Sequence, residues 1–124
     1  MAIRNFRDLR VWQMGIDLVQ GVYELTETFP AHERYGLASQ LQRAAVSVPS
    51  NIAEGHTRHH LKEYLNHLSI AQASLAELDT QLEIAIRLDY ISPDKSADIR
   101  EHLDSLGKQL RALRRSLSKP PSAR

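Results

Sequence analysis

The chain has 124 residues, with 16 Lys and Arg against 15 Asp and Glu, six His and no Cys. That length and balance fit one globular domain and exclude a second independent core or a disordered chain, while the lack of Cys excludes disulfides, a Cys-based zinc site, an iron–sulfur cluster and a thiol nucleophile. No run approaches the roughly 18 apolar residues of a membrane span and Met1 to Arg10 is too polar for a signal peptide, so the expectation is a cytoplasmic protein with no membrane partner.

Helical periodicity then repeats four times along the chain. From Leu9 to Phe29, one apolar line runs through Leu9, Trp12, Ile16, Val19 and Tyr23 and another through Val11, Leu18, Val22, Leu25 and Phe29. Together they form an apolar arc of roughly 150°, wide enough to touch more than one neighbour, and Pro30 is expected to end the helix. A second helix is predicted from Arg34 to Glu54, with Ala38, Leu41, Ala45, Val48 and Ile52 on one line. Pro49 should kink or break it, with Ser47, Ser50 or Asn51 satisfying the freed backbone, and Gly55 should stop it. The polar stretch His56 to His60 reads as a connector. A third helix carries Leu61, Tyr64, Leu68, Ala71, Leu75, Leu78, Leu82 and Ala85 at alternating spacings of three and four, ending near Asp89 or Tyr90. Ser92-Pro93 is an N-cap followed by proline at the first helical position. The fourth helix follows with Ile99, Leu103, Leu106, Leu110, Leu113 and Leu117.

No segment shows the β-branched alternation of a strand. Short connections make sequential helices antiparallel neighbours. The fold class is therefore all-α, an antiparallel up-down-up-down four-helix bundle over residues 1–117, with residues 118–124 as a frayed tail.

The segments LRVWQMGIDLV (Leu9 to Val19), FPAHERYGLASQLQRAAVSVPSNIAEG (Phe29 to Gly55) and KEYLNHLSIAQASLAELDTQLEIAIRLDYI (Lys62 to Ile91) resemble the bacterial 23S rRNA intervening-sequence proteins, also called four-helix bundle proteins. The similarity covers about three quarters of the chain and fades in the fourth helix. It implies a four-helix bundle assembling into a ring-like homopentamer. It also implies kinship with the accessory protein of diversity-generating retroelements, whose basic surface meets nucleic acid. It brings no catalytic residues.

Charge is uneven along the chain. Residues 61–92 carry two bases and five acids, residues 93–124 eight bases and four acids, and no acid follows Gly107. Lys108, Arg111 and Arg115 share one solvent-facing line, with Arg114 and Lys119 beside them, and read as a phosphate-contacting stripe for RNA or DNA. The competing reading is a helix that complements its dipole, acids early and bases late. Arg4, Arg7 and Arg10 form a second basic group that an antiparallel arrangement places at the same end as Arg114, Arg115 and Lys119.

The connector His56, Arg58, His59 and His60, followed by Glu63 and His67, brings only pairs of ligands together, so no metal and no cofactor is expected. Trp12 lies on a seam and reads as core rather than as a stacking platform. Five scattered glycines form no phosphate loop, and neither a Gly-x-Ser-x-Gly elbow nor a pair of unlike carboxylates is present. The role is therefore expected to be binding or assembly, not catalysis. Ile70 and Ile84 fall off the core line of the third helix, with Glu63 and Glu77, and point to a self-association surface. A pure scaffold for a protein partner of unspecified identity is the alternative to nucleic-acid binding.

Overall fold

The computed structural model describes residues 5–120. They form four α-helices and two short 3-10 turns, with no β-strand among the described residues. One turn (Phe6–Asp8) leads into α1 (Arg10–Thr26) and another (Ala31–Glu33) leads toward α2 (Leu37–His56); α3 (Leu61–Arg87) and α4 (Pro93–Ser118) follow. No helix among the described residues is long and apolar enough to cross a membrane.

Each helix packs on two others: α1 and α3 both lie against α2 and α4. The spacing of three and four buries one stripe per helix in a shared interior. Leu18 and Val22 from α1, Leu41, Val48 and Ile52 from α2, Leu68, Leu78 and Leu82 from α3, and Leu106 and Leu110 from α4 are all fully buried. Leu75 is 5% exposed and Leu110 0%, so the seams of α3 and α4 are dry, as their spacing predicts.

The helix boundaries follow local hydrogen bonding. The Oγ of Ser92 accepts from the Lys95 N–H at 3.2 Å and Pro93 opens α4, as expected for that pair. Three boundaries differ from the sequence reading. α1 stops at Thr26, ahead of Pro30, because the N–H groups of Thr28 and Phe29 bond back to Leu25 and Thr26, tightening the chain into a turn. α2 starts at Leu37 rather than Arg34, because Glu33 Oε1 accepts the Leu37 N–H at 3.0 Å and caps the first turn from outside. Gly55 lies inside α2 and does not stop it. A Cβ there would sit 2.8 Å from Cβ of His67 and 3.0 Å from Cδ1 of Tyr64, so the missing side chain lets α3 approach closely.

Pro49 does not break α2, which runs from Leu37 to His56 through it. The proline is buried against α1, where a Cβ on Gly15 would meet the Pro49 Cβ at 3.1 Å. Packing of the ring on a bare glycine holds the helix together where local preference would divide it. Asn51 serves Ser47, donating to its carbonyl at 2.9 Å and to its hydroxyl at 3.1 Å, rather than the Ala45 carbonyl, whose i+4 donor Pro49 lacks. Three seam assignments also need correction. Ile16 and Tyr23 of α1, and Leu61 at the start of α3, are exposed. The first two lie at the edge of the wide arc, where neighbouring helices cover them only in part, and Leu61 occupies the first position of its helix. Trp12 is half-buried against the core and tilts onto Phe6 with ring centroids 5.4 Å apart.

Candidate functional site

The leucine stripe of α4 faces inward and leaves its other faces to the charged residues. In its N-terminal half one cation, Arg100, is paired across to α3. Arg100 donates from Nη2 to Glu83 Oε1 on α3 at 2.8 Å, and its Nε lies 3.7 Å from Asp79. Arg87 reaches the other Glu83 oxygen at 2.9 Å, and Arg100 first, then Arg87, holds the Glu83 carboxyl below the usual range. The charge of Arg100 is thereby met within the chain.

The second half differs. Lys108, Arg111, Arg115 and Lys119 are exposed, and none of them has an ion-pair partner among the described residues. Arg111, Arg114, Arg115 and Lys119, with Ser118 and Pro120, surround a shallow concavity of about 580 Å³. Arg114 departs from the other cations: its Nη1 donates to Gln72 Oε1 on α3, and its Nε is buried without an acceptor. The guanidinium is thereby fixed against α3, a held cation among movable ones. Lys108 and Arg111 border a second concavity that also includes Asp79 and Asp104, so Lys108 stands beside acids, whereas no acid lines the concavity of the last two turns.

The N-terminal basic group is only partly in view, because Arg4 lies outside the described residues. Arg7 sits in the first 3-10 turn, its guanidinium 4.9 Å from the centroid of the Phe6 ring, and Arg10 opens α1, exposed. That turn packs on α1 and α2; contact with the cations of α4 is not among its packing.

The histidines take structural positions. His67 on α3 donates from Nδ1 to Asn51 Oδ1 at 3.0 Å, since the Asn51 amide nitrogen is already directed at Ser47, and Glu54 lies 3.7 Å from the same nitrogen. Ser74 Oγ donates to Ser47 Oγ at 2.8 Å. A polar seam therefore joins α2 and α3. His67, Ser74 and the buried Gln81 recur every seven residues within an otherwise apolar line, a regularity readable from the sequence that the apolar count passes over. His56 stands edge-on to Tyr64, centroids 5.8 Å apart. Among the described residues no three His, Asp or Glu side chains converge as a metal site requires.

A second polar cluster ties the α1–α2 and α3–α4 connections together. Tyr90 Oη donates to Glu33 Oε2 at 2.8 Å and accepts from His32 Nε2 at 3.3 Å. The Leu37 N–H and then the Tyr90 hydroxyl hold the Glu33 carboxyl below its ordinary value of 4.5. A depressed carboxyl stabilises the fold above its unfolded-state value, and that contribution disappears as pH falls through the folded value. Thermal melts should therefore show wild type losing stability below about pH 4.5, with a shallower acid loss in Glu33→Gln; superimposable profiles would contradict this role for Glu33.

Comparison with known proteins agrees with this architecture. A family model described as 23S rRNA-intervening sequence protein matches residues 7–112. No curated protein matches the chain significantly. A solved structure described as a protein with unknown function from the S23 ribosomal protein family of Bacteroides thetaiotaomicron VPI-5482 shares the fold. It superposes with a TM-score of 0.75 at 21% identity, over 83% of this chain and 96% of the other. The family match extends into α4, beyond the segments that carry the resemblance in the sequence, but stops before Arg114, Arg115 and Lys119. A match running from the first turn through most of α4 leaves one assignment: the chain belongs to the 23S rRNA-intervening sequence protein family.

Proposed function

We propose that the protein is a non-catalytic, self-associating up-down-up-down bundle that binds the RNA or DNA backbone through the C-terminal half of α4. Residue pairings support the topology: Gly15 faces Pro49, Gly55 meets Tyr64 and His67, Glu83 accepts from Arg100, and Gly21 faces Ile99. In each pair of neighbours, early residues of one helix meet late residues of the other. A ring-like pentamer follows from the family resemblance, and the exposed Ile70 and Ile84 of α3 support association.

The observation that carries the backbone reading is the acid-free run after Gly107, whose exposed Lys108, Arg111 and Arg115 have no partner within the described chain. These cations, three and four residues apart, stand about 4.5 and 6 Å apart along the helix axis, a spacing that lets them follow consecutive phosphates of one strand. In a ring, several copies of the stripe add their fields. Because the family description names 23S rRNA, RNA is the first probe to use.

Gel retardation of a labelled RNA and a labelled duplex DNA, at about 50 mM salt, tests this reading. The full chain should retard at least one of them, and Lys108→Ser/Arg111→Ser/Arg115→Ser should lose that retardation. Retardation of neither by wild type would leave the scaffold reading in its place.

A further inference from the structure

Charge is depleted on one side of the molecule. From Leu37 to Ala53, α2 carries a single charged residue, Arg43, although its outward face is open between α1 and α3. Interface centres are depleted in charge in this way, while solvated helix faces are not. Beside this face two large apolar side chains stand in solvent, Tyr23 of α1 at 46% exposure and Val46 of α2 at 40%. They border a trough between α1 and α2 of about 450 Å³ that also includes Arg43. Past Tyr23, Ser39 and Gln42 the trough continues into a second hollow of about 620 Å³, which ends at Arg34 and the almost fully exposed Tyr35.

The outward face of α3 has the opposite shape and sign. Ile70 and Ile84, 40% and 42% exposed, lie on one ridge with the exposed Ala73, Glu77 and Thr80 between them. At 1.5 Å per residue the ridge is about 21 Å long, and the trough follows α2 from its first turn to Val46 for about 14 Å, so the ridge can fill it. Glu77 has no ion-pair partner among the described residues, and neither has Arg43. One of these unpaired charges is cationic in a groove beside Tyr23 and Val46, the other anionic on a ridge midway between Ile70 and Ile84.

We propose that the occupant of the α1/α2 trough is a second copy of this chain, which inserts its α3 ridge so that Glu77 faces Arg43, one isoleucine reaches the hollow at Tyr35 and the other lies past Val46. The two surfaces differ, so the contact is head-to-tail, and repeated copies form a ring if the rotation closes. This rests on the self-association reading and adds the pair of surfaces and their register.

Size exclusion with light scattering on the full chain tests it. Wild type should run as an oligomer, while Val46→Asp and Ile70→Asp each run as monomers with unchanged helical circular dichroism. Arg43→Glu and Glu77→Arg should each weaken assembly about tenfold or more, and the double exchange should restore it. Glu101→Lys, on the far face of α4, should assemble like wild type. A monomeric wild type would overturn both the self-association reading and these surfaces. An oligomeric wild type whose assembly survives Val46→Asp and Ile70→Asp would overturn the surfaces alone, and an exchange without rescue would overturn the Arg43–Glu77 register.

Discussion

Leu78→Ala is expected to lower the free energy of unfolding by about 2–5 kcal/mol, measured by urea denaturation at matched protein concentration. Leu78 is completely buried at the centre of α3. Truncation removes its burial and leaves a cavity that four packed helices can only partly close. Leu61→Ala provides the contrast. Leu61 continues the same spacing in the sequence, yet it is exposed at the first position of α3, and its loss should fall within about 0.5 kcal/mol of wild type. Equal effects at the two positions would mean that α3 does not bury the stripe described here.

Gly55→Ala should destabilise by about 1–3 kcal/mol, although alanine is the better helix former by about 1 kcal/mol. The added methyl would lie 2.8 Å from the His67 Cβ, 3.0 Å from Tyr64 Cδ1 and 3.3 Å from the Tyr64 carbonyl oxygen. None of these is the far end of a flexible side chain, so α2 and α3 must separate. That movement also strains the His67–Asn51 and Ser74–Ser47 hydrogen bonds across the same interface. Gly21→Ala isolates the packing cause. Its methyl meets only Cδ1 of Ile99, at 2.7 Å, and that atom can rotate away. Helix propensity should then prevail there and leave the variant as stable as wild type or up to about 1 kcal/mol more so. Equal stabilisation at both glycines would contradict the close α2–α3 crossing.

These contrasts show which parts of the molecule were legible in the sequence. The buried lines of α3 and α4 follow directly from leucines at alternating spacings, because periodicity and burial are the same geometric fact seen twice. Ser92-Pro93 was equally readable, since a cap acts over three residues. Gly55 was misleading, and Pro49 left a kink and a break both open, because each speaks locally for an interruption and the outcome depends on what packs against them. Gly15 accommodates the proline ring and Tyr64 approaches the bare glycine, contacts contributed by other helices. The basic stripe was visible as composition. The pinning of Arg114 to Gln72, 42 residues away, and the acids beside Lys108 were not, because they depend on how α3 and α4 pair. Ile70 and Ile84 were read as off the core line and stand exposed, since angular position on a single helix needs no partner to compute.

The backbone-binding account is tested most directly by the salt dependence of RNA affinity, with log Kobs plotted against log salt for wild type and for Lys108→Ser/Arg111→Ser/Arg115→Ser. Each phosphate neutralised adds about −0.7 to −0.9 to the slope. The account predicts a steep wild-type line and a variant line flatter by about 2 to 3. Parallel lines of equal slope would contradict it.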